Sequence, residues 1–169
     1  MAIKVGVNGF GRIGRYFTRM TLHRTDIEVV AVNDLADINT LAHLFKYDSV
    51  HGKLNISFEI QNNSIVFENG KTITFTSEKE PANIPWSELG ADYVLESTGI
   101  FRSKEQAAAH LKGGAKKVVI SAPPNGDNVK SVVLGVNDEI LTHDDVIISN
   151  ASCTTNSVAP MIKVLKTLC

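Results

Sequence analysis

Cysteine is scarce in this chain: of 169 residues only Cys153 and Cys169 carry thiols, which makes no disulfide framework. That argues against the small secreted scaffolds that rely on bridges and leaves reduced thiols in a cytoplasmic protein as the expectation. An excess of either charge is also missing. Seventeen Lys and Arg face eighteen Asp and Glu, for a net charge of −1, and no block of like charge occurs. Nothing electrostatic therefore points to nucleic acid or an anionic membrane surface as a partner. No apolar run approaches membrane-spanning length, and "MAIKVGVNGF" enters a strand pattern without the apolar stretch of a signal peptide. No metal-ligating cluster stands out. Repeats, low-complexity tracts and Pro/Gly/Ser linkers are absent too, so residues 1–150 read as one domain and 151–169 as the start of a further helix. With 43% hydrophobic residues, the chain has enough apolar side chains for a proper core.

What is present alternates between strand and helix signals. "IKVGVN" is a short β-branched run, and Phe10, Ile13, Phe17 and Met20 then recur at helical spacing. "IEVVAVND" reads as a buried strand and "INTLAHLFKY" as a helix capped by Asp37. In the middle, "NISFEI", "SIVFE" and "KTITFTS" alternate, with Asn69-Gly70 as a hairpin signal between the last two. Strand "DYVLEST", helix "SKEQAAAHLKGG" and strands "KKVVISA", "SVVLGV" and "DVIISN" follow. Ser103 with Gln106 forms a capping box, and Gly113-Gly114 supplies the stop. Near-continuous apolar strands separated by helices predict an α/β fold, a doubly wound, mostly parallel sheet of Rossmann type. An antiparallel insert is expected near residues 54–76.

Gly9-Phe10-Gly11-Arg12-Ile13-Gly14 is a G-x-G-x-x-G pattern. Alone it is weak, but here it follows a strand, opens a helix and precedes Asp34 by twenty residues. That context fits a dinucleotide site. Gly9 permits the tight turn, Gly11 lets a pyrophosphate approach the backbone, and Gly14 lets helix and strand pack closely. The helix N-terminus offers N–H groups to the phosphates, and Asp34 would accept hydrogen bonds from ribose hydroxyls. Its carboxylate would repel a 2′-phosphate, favouring NAD over NADP, although Arg12 and Lys79 would soften the preference.

Cys153 falls in the first turn of a helix that follows the last strand. A helix N-terminus favours a thiolate and offers N–H groups to an oxyanion. Ser152, Thr154 and Thr155 carry hydroxyls suited to capping the helix or holding a phosphate. A lone cysteine is more often a small buried hydrophobe; its place at the carboxyl end of a strand in such a sheet favours a reactive role.

Six stretches together resemble the N-terminal half of the phosphorylating glyceraldehyde-3-phosphate dehydrogenase family: "KVGVNGFGRIGR", "VVAVNDL", "FKYDSVHG", "ESTGIF", "GGAKKVVISAP" and, most specific, "ISNASCTTN". The resemblance implies that Cys153 attacks the aldehyde of a phosphorylated substrate, that oxidation leaves a thioester, and that inorganic phosphate cleaves it. It further implies that Arg12 and Ile13 approach the pyrophosphate, that Thr98, Gly99, Phe101 and Ser121 line the NAD site, and that Ser152 and Thr154 contact phosphate. The complete family enzyme is a glycolytic tetramer whose general-base histidine lies further downstream. None of His23, His43, His51, His110 and His143 lies in a stretch matching that base; His110 is expected on a surface helix, and His51 and Lys46 as structural or solvated. Cys153's base is accordingly expected outside this chain, which alone would not turn over. A related tetrose enzyme, erythrose-4-phosphate dehydrogenase, shares the cysteine motif, but "NDL" and "STGIF" lean to the triose enzyme. A free-standing nucleotide-binding module is the reading from another class.

The helix after Cys153 carries two adjoining apolar strips, Val158, Ile162, Leu165 and Cys169 beside Met161, Val164 and Leu168. One strip is expected to pack on this domain's sheet and the other to need a partner.

Overall fold

The computed structural model describes residues 2–168. Strand β1 (Ile3–Asn8) leads into helix α1 (Arg12–Thr21), then β2 (Ile27–Asn33) and α2 (Ile38–Lys46). A two-stranded hairpin, β3 (Tyr47–Asp48) and β4 (Gly52–Lys53), precedes β5 (Phe58–Gln61), β6 (Ser64–Phe67) and β7 (Thr72–Thr76). The rest of the chain forms β8 (Tyr93–Glu96), α3 (Lys104–Ala107), α4 (Ala109–Lys112), β9 (Lys117–Ile120), β10 (Lys130–Ser131), β11 (Ile147–Ser149) and α5 (Cys153–Leu165). Cys169 lies outside the described residues.

Among the described residues nine strands form one sheet in the order β10-β11-β9-β8-β1-β2-β7-β6-β5. It is parallel from β10 to β7, and β6 and β5 extend it antiparallel. The expected insert is therefore an extension of the sheet edge, and its last strand belongs to the parallel set. Asn69-Gly70 does turn β6 into β7, with Gly70 at a φ of 83°. Chain order reverses where β1 lies between β2 and β8, which leaves a crevice at the carboxyl ends of those strands.

Each sheet face has its own core. Val5 and Val7 of β1 pack with Phe10, Phe45, Phe67 and Phe75 on one face. Trp86, Val94, Ala107, Val118, Ile120 and Ile147 fill the other. Gly6 must be small because a Cβ there would stand 2.4 Å from the Trp86 ring. The link from β7 to β8 holds only a 3-10 turn, Pro81–Asn83, and Trp86 supplies the bulk that a covering helix would have given.

Four sequence expectations change. Helix α1 buries Gly14, Thr18 and Thr21, while Ile13 and Met20 face solvent at 56% and 55% exposure. Small residues let α1 approach the sheet, and the Thr18 and Thr21 hydroxyls bond helix carbonyls, so their burial leaves no donor unpaired. The helix expected over 103–114 keeps its capping box but splits at Ala108 into α3 and α4. Three-residue bonds from Leu111, Gly113 and Gly114 tighten its second half. "SVVLGV" contributes only Ser131 to a strand, because Asn137 donates to the Ser131 carbonyl and accepts from Val133 N–H, closing a loop instead of a ladder. Finally, α5 buries none of its residues: among the described residues neither apolar strip packs on the sheet, and Lys163 ties the helix to the Gly135 and Val136 carbonyls. Asp37 does cap α2, and the Thr40 N–H it accepts holds its carboxyl below the usual range.

Candidate functional site

A cleft of about 310 Å³ opens at the crevice, lined by the loops after β1, β2, β7 and β8. Gly9, Gly11, Asp34, Lys79, Thr98 and Phe101 from the sequence reading line it. Gly9 sits at a φ of +91°, and a Cβ on it would stand 2.7 Å from Thr98 N, so the turn needs glycine twice over. Gly14 is packed harder still, its added Cβ 2.2 Å from the Gly9 carbonyl. Gly11 differs: its Cβ direction is open, it precedes α1 without any side-chain cap, and the first-turn N–H groups are left for a ligand.

Asp34 has a second task that sequence reasoning missed. One oxygen accepts Phe10 N–H at 2.7 Å and the other Ala36 N–H at 2.9 Å, so the carboxylate ties the glycine turn to the end of β2. Two of its roughly four acceptor positions remain for ligand hydroxyls. Arg12 and Ile13 are exposed beside the cleft without lining it, and Gly99, at a φ of 76°, is exposed too. Ser121 is half-buried at the end of β9, where its N–H donates to the Glu96 carbonyl.

Beneath the cleft runs a buried polar network. Glu96 and His110 are 1% and 0% exposed. The expectation of a surface His110 is therefore overturned: its ring turns inward, Nε2 lies 2.9 Å from Glu96 Oε2, and Nδ1 accepts Trp86 Nε1 at 3.1 Å. Asn8 Nδ2 donates to the same Glu96 oxygen at 2.7 Å. Asn8 Oδ1 accepts Asn33 Nδ2, and Asn33 in turn bonds Thr76 Oγ1 and the Glu78 backbone. One signal was legible beforehand: polar residues end three neighbouring strands, as Asn8, Asn33 and Glu96.

Cys153 is exposed in the first turn of α5, at the end of β11 and away from the cleft lining. Ser152 caps the helix by accepting Thr155 N–H at 2.9 Å, and its hydroxyl lies 2.9 Å from that of Thr154 and 2.7 Å from that of Thr155. Ala151, just before the cap, is held in the left-handed region at a φ of 57°. Three of the five histidines are committed elsewhere: His110 to the network, His51 stacked on Tyr16 at 4.1 Å, and His43 tilted against Tyr47.

A parallel sheet whose order reverses at a glycine turn, with an acidic residue closing the next strand, defines a dinucleotide-binding domain. More narrowly, the family described as "Glyceraldehyde 3-phosphate dehydrogenase, NAD binding domain" matches residues 3–104, and the chain belongs to that family. Similar curated proteins include the glyceraldehyde-3-phosphate dehydrogenase of Geobacillus stearothermophilus, 55% identical over 98% of this chain and 49% of that protein. Glyceraldehyde-3-phosphate dehydrogenase 1 of Bacillus subtilis is 53% identical over the same shares, and the Thermotoga maritima enzyme 52% over 96% and 49%. The chain thus spans about half the length of the curated relatives it matches. No helix among the described residues is long and apolar enough to cross a membrane.

Proposed function

We propose that this chain is the NAD-holding half of a cytoplasmic dehydrogenase that oxidises glyceraldehyde 3-phosphate with inorganic phosphate in glycolysis, working as a homo-oligomer. The observation that carries the reading is the cleft at the β1–β8 reversal, where the uncapped start of α1 and the Asp34 carboxylate meet at the glycine turn. A dinucleotide fits these groups. The free N–H groups after Gly11 would take the pyrophosphate between Gly9 and Gly14, with Arg12 and Ile13 beside it. The two unused acceptor positions of Asp34 would take ribose hydroxyls, and Lys79, Thr98, Gly99, Phe101 and Ser121 would border the remainder.

NAD, when bound, supplies the hydride acceptor. The Cys153 sulfur adds to the aldehyde carbon as a thiohemiacetal; the oxidised form of that adduct is a thioester, and a phosphate oxygen displaces the sulfur to give an acyl phosphate. Ser152 and Thr154 hydroxyls, clustered at the cap, are the candidate phosphate contacts. The base for the thiol would come from the half of the relatives that this chain does not span. The names of the relatives favour the triose over the tetrose substrate. Calorimetry on the chain tests the cofactor reading. NAD should bind, and NADP at least about tenfold more weakly, because its 2′-phosphate would meet a carboxylate already held in place by two N–H donors. Equal affinities would remove Asp34 from the ribose.

A further inference from the structure

Glu96 is buried with four hydrogen bonds on its carboxylate, and their direction is determined by chemistry. Oε2 takes Asn8 Nδ2 and His110 Nε2, while Oε1 takes both the backbone N–H and the hydroxyl of Thr98. An indole N–H can only donate, so Trp86 makes His110 Nδ1 an acceptor and leaves Nε2–H to donate to Glu96. All four positions of the carboxylate then face donors, and only a carboxylate suits them. Thr98, whose hydroxyl donates to Glu96, accepts Ile100 N–H on the same oxygen at 3.0 Å, which turns the loop after β8.

That loop lines one wall of the cleft with Ser97, Thr98, Ile100 and Phe101. Thr98 N abuts Gly9, and the neighbouring Ser97 hydroxyl bonds the Asn8 and Gly9 carbonyls at 3.0 and 2.7 Å. Through Asn8 and Asn33 the same network reaches the Glu78 backbone beside Lys79, on the opposite wall. We propose that Glu96, backed by His110 and Trp86, is a positioning residue that sets the cleft's floor before cofactor arrives, holding Thr98 against the glycine turn. The proposal rests on the NAD reading above for its affinity readout, but not for its structural one.

The test measures NAD affinity by calorimetry and amide hydrogen exchange by NMR on the same variants. In Glu96→Gln, whichever side receives the amide nitrogen meets two donors. NAD affinity should fall about tenfold or more, and the Thr98 amide should exchange faster while amides of β1 and β9 keep their protection. A variant that binds NAD as wild type does, with Thr98 still protected, overturns the proposal and leaves the cofactor reading standing. Should wild type not bind NAD, the cofactor reading falls, and exchange alone decides: an unchanged Thr98 amide overturns the positioning role. Should Glu96→Gln not fold, a pair at His110 decides. His110→Gln can still accept from Trp86 and donate to Glu96, whereas His110→Leu can do neither. Near-wild-type affinity for the first with a loss of about tenfold for the second supports the role; equal affinities overturn it.

Discussion

Gly11 and Gly14 stand three residues apart in one motif, yet the structure asks different things of them. An added methyl at Gly14 meets the backbone oxygen of Gly9 at 2.2 Å and a Val7 methyl at 2.9 Å, and the first cannot give without moving the glycine turn. At Gly11 it meets open space, at a φ of −71° that any residue adopts. Gly14→Ala should therefore cost about 1–3 kcal/mol of stability by overpacking and weaken NAD binding as well. Gly11→Ala should keep stability within about 0.5 kcal/mol yet lose affinity, since the methyl stands where a pyrophosphate would approach. Urea denaturation paired with calorimetry separates the two. A stable Gly14→Ala would contradict the close approach of α1, and an undiminished affinity in Gly11→Ala would contradict the phosphate path.

At the scale of elements, the stretch between β10 and β11 has only a 3-10 turn, Asp138–Ile140, in place of an α-helix, and side chains tie the rest, Asp145 with the most bonds. Asp145 accepts Lys130 Nζ at 2.8 Å, Thr142 N–H at 2.7 Å and the Thr142 hydroxyl at 2.9 Å. The Lys130 hydrogen bond, chiefly, and then the Thr142 N–H pull its carboxyl down from 3.8 to about 2. A carboxyl depressed in the fold stabilises it above its unfolded value, and that stability is lost as pH falls through the folded value. The loss should thus fall between about pH 4 and pH 2. Asp145→Asn should be less stable than wild type near neutrality, and the gap should close across that window. Denaturation midpoints followed from pH 6 to pH 2 check it, and a gap that stays constant would remove Asp145 from the acid response.

For the whole molecule, the open question is the surface that α5 presents. Val158, Met161, Ile162, Val164, Leu165 and Leu168 are all exposed, Leu168 at 76%, so both strips of the helix face outward together. A contiguous apolar patch of this kind drives association. We expect the chain to pair with a second copy through α5. Light scattering across a concentration series should show growth in mass that polar replacements at Met161, Val164 and Leu168 reverse. A wild type that stays monomeric at high concentration would contradict this. The sequence by itself determined whatever depends on neighbours along the chain. Most strand runs with β-branched side chains, the caps at Asp37 and Ser103, the Asn69-Gly70 turn and the glycine loop each obey local geometry, so a short window holds the information. The "SVVLGV" run is the exception, because the Asn137 side chain closes it into a loop. Tertiary structure alone decided which side of a helix is inside and which polar groups meet. Ile13 and Met20 lost the inner face of α1 to Gly14, Thr18 and Thr21 because closeness to β1 mattered more there than hydrophobicity. His110 turned from solvent to Glu96 because two residues fourteen apart, with Trp86, satisfy one another only when β8 and α4 pack together. Burying a polar group is tolerable once its partner arrives, and no stretch of sequence read alone reveals that partner.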